Sequence, residues 1–126
     1  MEQEKSIFLE MFGDYPLNRV LDFLITYEDF DYPMIEIAEK SGVGYSTLKQ
    51  FWPTLVQYKI VIQERKIGNA KLYKLNFNNS VVKKFRDFYW EVTFKRTHEL
   101  LEKEGIHIGQ KAHVPKSKKV FKSARK

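Results

Sequence analysis

The sequence predicts an α+β fold that is mainly helical, with four short helices, a two-stranded hairpin and one long C-terminal helix. Three observations predict it. Apolar residues recur at helical spacing in four segments before residue 58. Two runs rich in β-branched and aromatic residues, 60–66 and 71–77, flank a tight Gly-Asn loop. Residues 80–105 then sustain a helical pattern of about 24 residues, roughly 36 Å at 1.5 Å per residue, ended by Gly105.

Each element has its own cause. Ile7, Phe8, Met11 and Phe12 share one side of a short helix, and Gly13-Asp14-Tyr15-Pro16 breaks it. Val20, Leu21, Leu24 and Ile25 recur at helical spacing over residues 17–27. The acidic stretch Glu28-Asp29-Phe30-Asp31-Tyr32 reads as a loop. Pro33 suits the first turn of a third helix, whose inward residues are Ile35, Ile37 and Ala38. Ser41-Gly42-Val43-Gly44 is a turn, with Gly42 free to adopt positive φ and Gly44 at the N-cap of the next helix. On that fourth helix Leu48, Phe51, Trp52 and Leu55 fall on one side at 100° per residue. Ser46, Lys49, Gln50, Pro53 and Gln57 fall on the other. Pro53 removes the bond to the Lys49 carbonyl, which predicts a bend after Trp52. Ile67-Gly68-Asn69-Ala70 joins the two strands, and Gly68-Asn69 supplies the φ values a hairpin needs.

The long helix carries two apolar stripes. Val81, Phe85, Phe88 and Val92, widened by Val82 and Tyr89, form one; Trp90, Phe94 and Leu101 form another on nearly the opposite side. A helix apolar on two faces is expected to be covered on two faces. The first stripe suits its own domain. The second suits the same helix of a second copy, with an intrachain contact to the helix at residues 7–12 as the alternative.

Charge is distributed unevenly along the 126 residues, whose formal net charge is +6. Residues 1–39 carry a net −8, residues 40–96 a net +9, residues 97–104 a net −2 and residues 105–126 a net +7 with no acid. Positive charge therefore gathers around the helix–turn–helix–hairpin unit and in the tail, a field that draws a polyanion. The tail, 106–126, is dense in lysine and lacks sustained periodicity, as a flexible basic segment does.

The string Gly42-Val43-Gly44-Tyr45-Ser46-Thr47-Leu48, followed by Trp52, Leu55, Ile60 and Val61, resembles a winged helix-turn-helix. Phe12-Gly13-Asp14-Tyr15-Pro16 leading into Val20-Leu21-Asp22-Phe23-Leu24 adds to the resemblance. So do Arg65-Lys66-Ile67-Gly68-Asn69-Ala70 as a wing and Tyr73-Lys74-Leu75-Asn76 closing the hairpin. Over about residues 12–92 the chain looks like the MarR-like winged-helix regulators common in archaea. The resemblance implies a homodimeric transcription regulator that binds double-stranded DNA. By it, Tyr45, Ser46, Thr47, Lys49 and Gln50 face the major groove, and Arg65, Lys66, Asn69 and Lys71 place the wing on backbone or minor groove. Trp90, Phe94 and Leu101 join the protomers. Outside the resemblance, Lys116, Lys118, Lys119, Lys122, Arg125 and Lys126 are expected to add nonspecific phosphate contacts. The expected organisation is a DNA-binding unit over residues 1–79, a dimerisation helix over 80–105 and the basic tail over 106–126.

Other chemistry finds little support. The chain has no cysteine, which removes disulfides, thiolate zinc sites and cysteine nucleophiles. His98, with Glu102 one turn on, and His107 and His113 match no tight metal site. No phosphate-loop, nucleophile-elbow or zincin string occurs. The expectation is therefore a non-enzyme with no cofactor or metal. The acidic, interrupted N-terminal stretch reads as neither a signal peptide nor a membrane span, which implies a soluble cytoplasmic protein. A second function class stays open: a winged-helix interaction module of a replication or transcription assembly, touching DNA only nonspecifically. Selection of one DNA sequence separates the two.

Overall fold

Ser6 starts the first helix, α1 (Ile7–Phe12), by accepting the Leu9 N–H at 3.1 Å, and its hydroxyl donates onward to Asp22 at 2.6 Å. That pair of bonds caps one helix and ties it to the next, α2 (Pro16–Thr26), where Pro16 occupies the first turn without losing a hydrogen bond. The chain continues through α3 (Met34–Ser41), α4 (Tyr45–Gln57), the hairpin β1 (Val61–Ile67) and β2 (Ala70–Leu75), and α5 (Ser80–Lys103). The computed structural model describes residues 5–105. Its five helices and two-stranded sheet are the expected α+β, mainly helical fold: a winged helix-turn-helix with a long C-terminal helix. The basic tail, with Lys116, Lys118, Lys119, Lys122, Arg125 and Lys126, lies outside the described residues.

The chain divides into two compact units, Met1–Val82 and Lys83–Lys126. The core of the first collects Val20, Ile25, Ile37, Leu48, Val61, Leu75 and Val82, all fully buried. Each such aliphatic side chain contributes about 1.5–3 kcal/mol relative to exposure. Three apolar residues placed on helix faces by their spacing are exposed. Ile35 is 62% exposed, because residues two apart lie about 200° apart on a helix and Ile37 already faces in. On α1, Phe8 and Leu9 are buried while Met11 and Phe12 are exposed; Phe12 lies over Phe8 at 5.6 Å between ring centroids, at the end where Gly13 (φ 113°) turns the chain away.

The hairpin turns through two residues, but only Gly68 (φ 61°) has positive φ. The one non-glycine residue with positive φ among the described residues is Lys59 (φ 58°), just past α4. Side chains of two asparagines brace this turn. Asn76 and Asn79 each donate a side-chain N–H to the Lys59 carbonyl at 3.0 Å, Asn79 also donates to the Tyr58 carbonyl at 3.1 Å, and the Asn79 carboxamide oxygen accepts the Val81 N–H at 2.9 Å. The end of α4 and the start of α5 are thus stitched together by two asparagines.

The sheet carries a feature the sequence reading missed. Gln63 pairs with Tyr73, but the next pair is Arg65 with Leu72, so Glu64 is an extra residue and β1 has a bulge there. Tyr32, in the acidic stretch read as plain loop, pairs with Tyr73 through both backbone groups, at 2.9 and 2.8 Å. A residue's N–H and C=O point to the same edge of its strand. Tyr32 therefore flanks β2 on the edge opposite β1, as a one-residue bridge beside the two-stranded sheet.

In α5, Val82 and Tyr89 are buried, while Val81 and Phe88 are exposed. The first predicted stripe is thus turned by about one position, or 100°. The row along Val82 and Tyr89 also holds Arg86 and Thr93, which a purely apolar pattern rejects; Thr93 satisfies its hydroxyl on the Tyr89 carbonyl at 2.9 Å. Trp90, Phe94 and Leu101 are half-buried, and Trp90 stacks on Phe94 at 5.8 Å and 29°. No described helix is long and apolar enough to cross a membrane.

Candidate nucleic-acid interface

The turn before α4 sets where that helix points. Gly42 (φ 72°, ψ 30°) closes α3 in the left-handed region, and its carbonyl accepts Arg19 Nη1 at 2.7 Å. Arg19 Nε in turn donates to Asp14 at 2.6 Å. That hydrogen bond, with the guanidinium charge and Lys5 nearby, holds the Asp14 carboxyl below its usual range despite some desolvation. The positive φ favours glycine at residue 42, and a Cβ there would also meet Arg19 Nη1 at a tight 3.3 Å. Gly44, extended at φ −60° and ψ 142°, is the N-cap of α4 and contributes no side-chain bond.

Leu48, Trp52 and Leu55 are buried, and the Trp52 ring meets Tyr73 of β2 edge-on at 5.2 Å. Tyr45, Ser46, Lys49 and Gln50 are exposed on the other side; Thr47 is half-buried and so presents less of itself. Lys49 Nζ lies 4.7 Å from the centre of the Tyr45 ring, a cation–π arrangement that narrows where the ammonium can point. Pro53 does not end the helix: α4 is unbroken to Gln57, and Trp52 and Leu55 on either side of Pro53 are both buried. The helix therefore carries Pro53 in its interior without interruption.

On the hairpin, Lys66, Asn69 and Lys71 are exposed. Lys66 and Lys71 are direct cross-strand partners. Like charges opposed in this way destabilise a sheet unless an anion neutralises them. Arg65 is placed differently. Its Nε and Nη2 donate to the two carboxylate oxygens of Asp31 at 2.8 and 3.1 Å, a bidentate pair that sequence reasoning did not find. The only signal for it was an acid in a loop whose strand character has no periodicity to reveal it. Away from this region, His98 Nε2 is 3.8 Å from Glu102, and no group of three potential metal ligands occurs among the described residues.

No family model matches the sequence, and no curated protein matches it. The fold does have solved counterparts. ZitR of Lactococcus lactis, wild type in complex with DNA, aligns over 85% of this chain and 68% of its own, with a TM-score of 0.50 and 15% identity. A mutant of the same protein aligns over 98% of this chain and 75% of its own, with a TM-score of 0.51 and 15% identity. At that identity the likeness establishes architecture: the chain has the winged-helix fold seen in ZitR.

Proposed function

We propose that this chain is a sequence-specific double-stranded-DNA-binding transcription regulator that acts as a homodimer. The observation that carries the reading is the division of α4. Its core side is closed by Leu48, Trp52 and Leu55, while Tyr45, Ser46, Lys49 and Gln50, flanked by Thr47, are free of packing duties beside a hairpin that opposes two lysines. Gln50 can pair bidentately with adenine and Lys49 can donate to guanine in the major groove. Lys66, Asn69 and Lys71 suit backbone or minor groove. The net +9 of residues 40–96 supplies the attraction, and the fold is one that ZitR uses in a DNA complex.

In this reading residues 1–79 bind DNA and residues 80–105 pair two copies through Trp90, Phe94 and Leu101. Residues 106–126 add nonspecific contacts through Lys116, Lys118, Lys119, Lys122, Arg125 and Lys126. The half-burial of Trp90, Phe94 and Leu101 in one protomer leaves apolar area for a second copy. The protein then works free in the cytoplasm, without cofactor, metal or enzymatic activity.

Selection from a random duplex library is the deciding experiment. The expected outcome is one enriched site with two-fold symmetry, each half-site read by one α4. Recovery of no sequence, with binding that depends only on salt, would leave an interaction module with nonspecific DNA contact as the better reading.

A further inference from the structure

We propose that Asp31 is a positioning residue for the wing: its carboxylate clamps Arg65 across β2, so that Arg65 anchors the hairpin instead of contacting a phosphate. The inference rests on the DNA-binding reading only for its consequence, since the clamp itself is a property of the free chain.

The bulge makes the clamp possible. In an unbulged ladder Glu64 would oppose Leu72 and Arg65 would oppose Lys71. The extra residue instead brings Arg65 opposite Leu72. Directly opposed residues share a face and successive residues alternate, so the bulge moves Arg65 onto the Leu72 face of the sheet. Asp31 reaches the same face from the far edge. Tyr32 opposes Tyr73, so Asp31, one residue before it, lies on the face of Leu72 and Lys74. Without the bulge the guanidinium would lie on the other face, away from the carboxylate.

The bond therefore runs from β1, over β2, to the Tyr32 bridge. It fastens both edges of the sheet with two parallel N–H···O bonds at 2.8 and 3.1 Å. The Asp31 side chain is only 9% exposed, whereas that of Arg65 is 59% exposed, so the acid is the fixed end and the arginine the arm that reaches it. The Arg65 hydrogen bond, its charge and the charge of Lys74 hold the Asp31 carboxyl below its usual range. An arginine whose fork is filled by a carboxylate has fewer donors to offer a phosphate. Of the cations expected to place the wing on DNA, Lys66 and Lys71 are then the ones left.

Two measurements on the full chain test this. The first needs no DNA: amide hydrogen exchange at Tyr32 and Tyr73, whose N–H groups bond each other's carbonyls. Asp31→Asn and Arg65→Gln should each speed exchange at both amides by about two- to fivefold, the range for a partly exposed ion pair. The double variant should do no more than either single one. Unchanged exchange in both singles, or additive effects, overturns the clamp. The second is affinity for a duplex across a salt series. Asp31→Asn and Arg65→Gln should each weaken binding about two- to fivefold along lines parallel to the unmodified protein's. If Arg65 instead grips a phosphate, Arg65→Gln flattens the log–log slope by about 0.9 and Asp31→Asn tightens binding, and either result overturns the proposal. A protein that binds no duplex at any salt rejects the DNA reading, while the exchange measurement still decides the clamp.

Discussion

Of the 13 residues of α4, Leu48, Trp52 and Leu55 are buried to 7% exposure or less, whereas α5, with 24 residues, buries only Val82 and Tyr89 as deeply. The two helices are similarly rich in large apolar side chains. In α4 the buried residues follow one row while Ser46, Lys49 and Gln50 follow the other, so the helix is finished once its own unit has folded. In α5 the aromatic residues run round the helix: Phe85 meets Tyr89, Tyr89 meets Trp90, and Trp90 meets Phe94. Val81, Phe88 and Leu100 remain exposed. The difference separates a helix whose packed and polar sides are divided from one whose apolar side chains stay partly exposed on several sides.

The largest expected effect tests the second half of that contrast. In the proposed homodimer, Trp90→Lys would set a charge within the contact between protomers, where an uncompensated buried charge costs about 3–5 kcal/mol of association. Light scattering on a sizing column should show a dimer at micromolar concentration and a monomeric variant. An unmodified protein that is monomeric, or a variant that remains dimeric, breaks the contrast.

The first half is tested by a pair of changes on α4. Leu48→Ala, at a fully buried site, should lower the unfolding free energy by about 2–5 kcal/mol in a denaturant titration. Gln50→Ala, at an exposed one, should leave stability within about 0.5 kcal/mol. The same Gln50→Ala should relax base preference at one defined position of each half-site by about 1–3 kcal/mol, read on a panel of single-base variants. Preference unchanged in a folded Gln50→Ala protein means that this face does not read DNA.

Removing residues 106–126 should flatten the salt slope of duplex binding by several units, about 0.9 per phosphate released, and leave the specific-to-nonspecific ratio nearly intact. A truncation that erases site preference assigns sequence reading to the tail instead.

The smallest effect sits where the two helices meet. Lys59 is held in the left-handed region, which costs a non-glycine residue about 1–2 kcal/mol, while glycine there costs about 0.5–1 kcal/mol in lost chain entropy. Lys59→Gly should therefore raise stability by about 0.5–1 kcal/mol, measured by thermal unfolding, because Asn76 and Asn79 bond the backbone carbonyl and not the lysine side chain.

What the sequence made legible follows from periodicity and from glycine. The α4 row, the left-handed Gly42, the Gly44 cap and the Gly68 turn were all readable because each depends on spacing or on a missing Cβ. The orientation of α5 was not, because Arg86 and Thr93 interrupt its covered row and their long or hydrogen-bonded side chains are compatible with burial in ways a two-letter pattern does not record. The bridge on the far edge of β2 was invisible for a simpler reason: one residue, Tyr32, makes the whole of it. The Glu64 bulge leaves no mark in composition, yet it decides which face Arg65 occupies. On the candidate interface, residue types were legible and engagement was not. Arg65 and Lys66 are neighbours of like charge, and only the fold distinguishes the one held by Asp31 from the one facing Lys71.

The opposed lysines, 66 and 71, give the hairpin two contrary responses to ionic strength. Alone, the strands near the turn repel, and added salt screens them, so amide protection there should rise as salt is added. On the proposed DNA-binding reading, a duplex neutralises the same pair by displacing counterions, and its affinity falls as salt is added. Whatever free energy an anion releases at this pair also favours the closed form of the hairpin, since a ligand that binds only the ordered state stabilises that state. Zipping of the wing tip and capture of a polyanion are in that sense a single coupled equilibrium.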